Sequence, residues 1–170
     1  MLVLGLYKNR TDPMTPAIDY LRAHKIPFTV HEYQLKNSSD NYGQDVADAL
    51  GLPHSRLFKT LLIELNGNPK TLAACLVPVA GSLNLKLAAK ALGAKKAALA
   101  DVAHAEKSSG YVVGGISPFG QKKPLPTVLD ITAMHLTSLF ASAGRRGLQV
   151  EVAPAHLAQA LGAIIDDISA

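Results

Sequence analysis

Lys59 stands in the run Leu57-Phe58-Lys59-Thr60-Leu61-Leu62-Ile63-Glu64-Leu65, where strand alternation puts Leu57, Lys59, Leu61, Ile63 and Leu65 on one face. Four of those five are core residues, so the ammonium points where a charge is costly unless it meets an anion. A lysine so placed suits a pocket mouth that holds a phosphate or a carboxylate. The alternative is an end-of-strand lysine that reaches water or guards an edge. A second feature is the segment 110–123, with four glycines in eleven residues followed by Lys122 and Lys123. Glycines allow close backbone approach, and successive N–H groups can line an oxyanion site or an anion nest. The glycine spacing is not a dinucleotide fingerprint, there is no GK[ST] ending, and Gly115-Ile116-Ser117-Pro118-Phe119-Gly120 misses the GxSxG elbow by one residue. Ser117 is therefore a weak nucleophile candidate, and a long turn joining strands is the competing reading. The third feature, Ala141-Ser142-Ala143-Gly144-Arg145-Arg146-Gly147-Leu148, offers Ser142 to a pocket wall and two arginines to a phosphate, or else a surface hairpin turn.

No Ser/His/Asp set, Cys/His set or pair of carboxylates stands out beside them. The single cysteine, Cys75, lies in an apolar strand-like run and reads as a buried thiol rather than a nucleophile. The six histidines never fall within five positions of one another, so no local metal-ligand pair appears. Any catalysis here is expected to rest on positioning and backbone donors.

The elements that must position these residues follow from periodicity and turn chemistry. A helix over 16–25 opens with Thr15 as cap and Pro16 in its first turn, and a strand follows over 28–33. A short helix is expected over 43–50. Strands over 57–65 and 70–79 are joined by Asn66-Gly67-Asn68-Pro69, a strong turn signal. A helix over 84–92, a short strand over 95–99 and a helix from Asp101 to about 107 lead into the glycine-rich segment. Strands over 127–130, 137–143 and 148–152 precede a closing helix over 154–164, with Leu157, Leu161 and Ile164 inward. Hairpins dominate and no regular βαβ beat appears. The expected fold class is α+β, with a mostly antiparallel, strongly curved sheet flanked by helices.

The 170 residues, 48% apolar with a mean hydropathy of +0.16, suit one domain with a real core, and exclude disorder as the main state. No apolar stretch reaches the length of a membrane span. Residues 1–13 read as an extension ahead of a single domain over 14–170, and the opening apolar stretch is too short for a signal segment, so a cytoplasmic protein is the expectation. The net charge is only +4, yet residues 81–125 hold seven lysines against Asp101 and Glu106. A local excess of five charges suits a polyanion better than an even spread.

Taken in order, Phe58-Lys59-Thr60-Leu61-Leu62, Val77-Pro78-Val79-Ala80-Gly81, Lys90-Ala91-Leu92-Gly93-Ala94-Lys95-Lys96 and Gly110-Tyr111 through Gly114-Gly115-Ile116-Ser117-Pro118 to Gly120-Gln121-Lys122-Lys123 resemble the YbaK family over about residues 14–168. That family comprises free-standing Cys-tRNA(Pro) deacylases related to the editing insertion domain of bacterial prolyl-tRNA synthetases. The resemblance implies a curved, barrel-like mixed sheet, no metal or organic cofactor, the acceptor end of mischarged proline tRNA as substrate and prolyl-tRNA synthetase as partner. Lys59 matches the family's strand lysine, expected on the terminal phosphate or adenosine, and Thr60 follows in the same motif. Tyr33 matches a pocket tyrosine. Gly115, Ile116, Ser117 and Pro118, preceded by Gly114, match the GxxP loop whose N–H groups are expected on the scissile carbonyl. Ser142 matches a pocket serine. Gln149 stands where relatives commonly carry aspartate, which bears on amino-acid selectivity. The implied mechanism is substrate-assisted: the cysteinyl thiolate attacks its own ester and leaves as a thiolactone. Alternatives are a deacylase for another amino acid, such as alanine, and a non-catalytic module that binds tRNA or a synthetase.

Overall fold

The computed structural model describes residues 13–36 and 39–170, so the extension expected over 1–13 lies almost wholly outside the described residues. Thr15 caps helix α1 (Pro16–Ala23) by accepting a hydrogen bond from the Ile18 N–H, and the proline occupies the first turn, where no N–H is needed. Strand β1 (Thr29–Glu32) and helix α2 (Tyr42–Ala49) follow. Strands β2 (Phe58–Leu65) and β3 (Asn68–Pro78) form the expected hairpin, in register from Phe58 opposite Pro78 to Glu64 opposite Leu72. Helix α3 (Leu85–Ala91), the three-residue strand β4 (Ala97–Leu99) and helix α4 (Val102–Ser109), capped by Asp101, lead into the glycine-rich segment. Beyond it come β5 (Thr127–Asp130), β6 (Leu139–Ser142), β7 (Leu148–Val152), helix α5 (Pro154–Leu161) and β8 (Ile164–Asp166).

The fold is α+β, as expected, but the strands form two sheets that do not close into a barrel. One has the order β1-β7-β6 and the other β4-β2-β3-β5-β8. Pairing is mostly antiparallel; β5 runs parallel to both β3 and β8. A bridge between Leu57 and Phe140 links the two sheets. One apolar core spans both: Phe58, Leu76 and Leu129 from the larger sheet meet Leu139, Leu148 and Val150 from the smaller, under Ile18 and Leu21 of α1 and Leu157 of α5.

Two expectations need correction. The closing helix stops at Leu161, because Gly162 turns into the left-handed region (φ 59°), and Ile164 is 40% exposed in β8 rather than inward. Strand β2 is also covered on both faces: Phe58 and Leu62 are as buried as Ile63 and Leu65. Its alternation therefore does not separate a core face from a solvent face. A short 3-10 helix (Ile131–His135), capped by Asp130, has no counterpart among the expected elements.

Candidate functional site

The junction of the two sheets holds a cavity of about 450 Å³. The first half of β2 supplies its floor, with Lys59 and Thr60 among the wall residues. Leu99 of β4, Val102 and Ala105 of α4, and Tyr42 and Val46 of α2 supply apolar sides. Gly114 and Ile116 come from the glycine-rich segment, Ser142 from β6, Gln149 from β7, and Arg146 from the turn between those strands. Ser142 and Gln149 are direct cross-strand partners, so the small sheet delivers both side chains together. All three features singled out in the sequence thus contribute to one wall.

Electrostatically the wall is one-sided. It carries two cations, Lys59 and Arg146, and no carboxylate, histidine or cysteine. Lys59 has no ion-pair partner among the described residues, and burial holds its ammonium below the usual 10.5. Thr60 Oγ1 and Gln149 Oε1 are buried with no hydrogen-bond partner, and both belong to wall residues. Buried polar atoms are nearly always satisfied, so these two residues leave two unmade hydrogen bonds directly behind the wall.

Close packing fixes the glycine-rich segment. Gly114 adopts φ 92°, and a Cβ there would collide with the Arg146 guanidinium; a Cβ on Gly115 would lie 2.8 Å from Arg145 Cα. Arg146 then spans the solvent side of the cavity, 4.8 Å above the Tyr42 ring and within 3.5 Å of the Val113 carbonyl. Tyr42 shares a 2.6 Å hydrogen bond with Tyr33, and burial, together with that bond, raises its phenol pKa. Tyr42 and Arg146 belong to the wall; the sequence offers Arg146 only as a phosphate ligand and gives no signal for Tyr42.

The other expected residues lie around this wall. Tyr33 reaches it through Tyr42 and itself lines a neighbouring hollow beside Arg145 and Arg146. Gly115 is buried and its N–H already donates to the Val112 carbonyl at 2.8 Å. Ser117 is fully buried away from the wall, its hydroxyl accepting from the Phe119 N–H at 3.2 Å, and Pro118 is buried beside it. Cys75 is likewise buried in β3, its thiol pushed up to about 12 by burial.

A Ser138–Glu151–His31 cluster outside the cavity resembles a catalytic set in composition only. Glu151 sits between the other two, accepting from the Ser138 hydroxyl and lying 3.0 Å from His31 Nε2, so no histidine reaches a serine. Among the described residues no group of three or more His, Cys, Asp or Glu side chains is placed to hold a metal ion.

The chain belongs to the aminoacyl-tRNA editing domain family, whose model matches residues 39–160. It is 37% identical over 148 residues to an Enterococcus faecalis protein named "Putative Cys-tRNA(Pro)/Cys-tRNA(Cys) deacylase EbsC", covering 86% of this chain and 88% of that one. Two crystal structures share the fold. Hypothetical protein APE2540 matches with a TM-score of 0.80 and 22% identity over 92% of this chain and all of the other. A protein described as "a putative trans-editing enzyme for prolyl tRNA synthetase" matches with a TM-score of 0.78 and 21% identity over 94% of this chain and 99% of its own.

Proposed function

We propose that the protein is a trans-editing deacylase that clears cysteine from mischarged proline tRNA. The observation that carries this reading is a cavity wall with two cations, two orphan polar atoms behind it and no carboxylate, histidine or cysteine. Such a wall suits a ligand that brings a phosphate and its own nucleophile. The name of the E. faecalis relative supports the same substrate. Lys59 takes the phosphate or ribose edge of the terminal adenosine. Gln149 Oε1 accepts from the α-ammonium of the aminoacyl group, and Thr60 Oγ1 lies on the same wall for the remaining polar contact. In the glycine-rich segment the N–H groups of Gly114 and Ile116 have no acceptor among the described residues, and they receive the carbonyl oxygen as it gains charge.

The cysteinyl sulfur then attacks its own ester carbon. The bond from that carbon to the ribose oxygen breaks, the thiol proton ends on the released hydroxyl, and the amino acid departs as a four-membered thiolactone that water opens later. The apolar sides from Val46, Ala105 and Ile116 reduce water around the oxyanion and strengthen the donors that meet it. Prolyl-tRNA synthetase is the proposed source of selection for the proline tRNA, since the wall contains nothing that reads a base outside the acceptor end.

Cys-tRNA(Pro), Ser-tRNA(Pro) and Ala-tRNA(Pro) incubated with the protein decide between the routes. The cysteinyl ester is expected to clear, while the seryl ester, isosteric but without a thiol, persists. Equal clearance of both rejects thiolactone release. Faster clearance of the alanyl ester assigns the site to alanine, a reading favoured by the uncharged Gln149 on the wall.

A further inference from the structure

A second hollow, of about 580 Å³, lies outside the reaction cavity and is lined by Lys86 and Lys90 of α3 and by Lys95 and Lys96, over a floor that includes Ala89 and Ala97. All four lysines are exposed, none has an ion-pair partner among the described residues, and no carboxylate lines the hollow. Lys86 and Lys90 lie one helical turn apart, a like-charge spacing that opposes the helix unless an anion relieves it. Lys95 and Lys96 are held in place by the β2–β3 turn: Asn66 Oδ1 accepts from the Lys95 N–H at 2.8 Å, and the Asn66 N–H donates to the Lys96 carbonyl at 2.9 Å.

Strand β4 joins this hollow to the reaction cavity. Its first residue, Ala97, lines the lysine hollow and its last, Leu99, lines the cavity. Two residues of extended chain span about 7 Å, roughly the rise of two nucleotides in a nucleic-acid strand. Lysines are point charges that meet phosphates without reading bases.

We propose that the Lys86, Lys90, Lys95 and Lys96 hollow binds the RNA phosphate backbone behind the aminoacylated end, so that β4 is the sill between the docking surface and the reaction cavity. This rests on the reading of the cavity as an aminoacyl-RNA site. Docking of this kind is independent of sequence, so it holds any tRNA and leaves the choice of amino acid to the cavity.

The test compares the intact protein with a quadruple variant, Lys86→Ala, Lys90→Ala, Lys95→Ala and Lys96→Ala. A control variant removes three lysines of the same basic segment at the end of α4 and beyond, Lys107→Ala, Lys122→Ala and Lys123→Ala. Affinity for an uncharged acceptor-stem hairpin RNA is measured against salt, and kcat/KM is measured on Cys-tRNA(Pro) and on 3′-cysteinyl adenosine, which lacks the backbone. The quadruple variant is expected to lose about tenfold or more in RNA affinity at 0.1 M salt. Its log–log salt slope is expected to shrink by about three to four, since each of the four phosphates that a lysine neutralises adds about 0.7–0.9. Its kcat/KM falls on the tRNA ester and not on the adenosine ester, and the control changes the slope much less. An unchanged slope in the quadruple variant overturns the proposal, as does an equal loss in the control or an equal loss on the adenosine ester. Loss of binding to an acidic protein partner with RNA affinity intact overturns it too. If neither ester is cleared by the intact protein, the reading of the cavity fails while the salt slope still decides the docking surface.

Discussion

An ammonium half-withdrawn from water with no counter-ion works against folding, so Lys59 is a residue whose removal separates stability from function. Burial holds its pKa below 10.5. The folded state therefore releases this proton at lower pH than the unfolded chain does. The cost of the charge is present at neutral pH and disappears as pH rises toward 10.5. Lys59→Met keeps the length and removes the charge. It is expected to leave stability unchanged or raised, while deacylation falls about 10- to 100-fold, the worth of one charge-assisted contact. Urea melts and single-turnover deacylation check the two halves. A variant that unfolds more easily and keeps its rate would assign Lys59 to structure alone. In the intact protein the rate is expected to fall on the alkaline side before pH 10.5, with Lys59→Arg moving that limb upward. Gly115 tests the backbone instead. Because an added Cβ meets Arg145 Cα at 2.8 Å, Gly115→Ala must shift either the loop or the arginine turn. Deacylation is expected to drop about 100-fold, the cost of losing one oxyanion donor's placement, with the melting temperature lowered by only a few degrees. Wild-type kinetics would show that the loop does not set the geometry.

The elements hold these residues through polar ties that sequence periodicity does not show. Glu151 fastens β7 to β1 and to the residues ahead of β2. It accepts from the Ser138 hydroxyl, lies 3.0 Å from His31 Nε2 and receives Arg56 at 3.3 Å. Burial alone would raise its pKa, but the bonds from Ser138 and His31 and the Arg56 charge outweigh it and leave the pKa below 4.5. A depressed carboxylate contributes stability above its unfolded pKa and loses it as pH falls, so the protein is expected to weaken as pH drops below 4.5. Glu151→Gln is expected to cost about 2 kcal/mol at neutral pH and to flatten that acid limb. Denaturant midpoints at pH 7 and pH 3.5 measure both, and an identical acid limb in the variant would remove Glu151 from the account. The hairpin β2–β3 and helix α1 are legible in the sequence because local chemistry decides them: Asn66-Gly67 turns the chain and Thr15-Pro16 starts a helix. The end of α5 is not, because the apolar spacing through Ile164 fits a helix while Gly162 and pairing with β5 make it a strand. Lys59 stands out for its misplaced charge. Its neighbours on the wall cannot be assembled the same way, because the meeting of Ser142, Gln149 and Gly114 with β2 depends on how two sheets pack, which periodicity within one strand does not carry.

For the whole molecule, the cavity and the stability of the fold are coupled, because the same junction makes both. Leu57 bridges to Phe140 across the sheets, and Phe58, the next residue, enters the core shared with Leu139 and Leu148. Lys59 and Thr60 follow directly on the cavity wall. No sheet can leave without opening the site, and a ligand in the site touches both sheets. A single cooperative unfolding transition is therefore expected, with no separate melting of the β1-β7-β6 sheet. An amide-linked analogue of 3′-cysteinyl adenosine, which lacks the labile ester, is expected to raise the whole transition. At a hundred times its Kd the linkage amounts to about 2.7 kcal/mol, which for a chain of this size is a shift of roughly 5–10 °C. Differential scanning calorimetry with and without the analogue reads this directly. Two resolved transitions, or a shift confined to one of them, would place the ligand on one sheet and separate the site from the junction. In Lys59→Met the analogue is expected to stabilise less than in the intact protein at the same concentration, because the variant lowers affinity without weakening the fold.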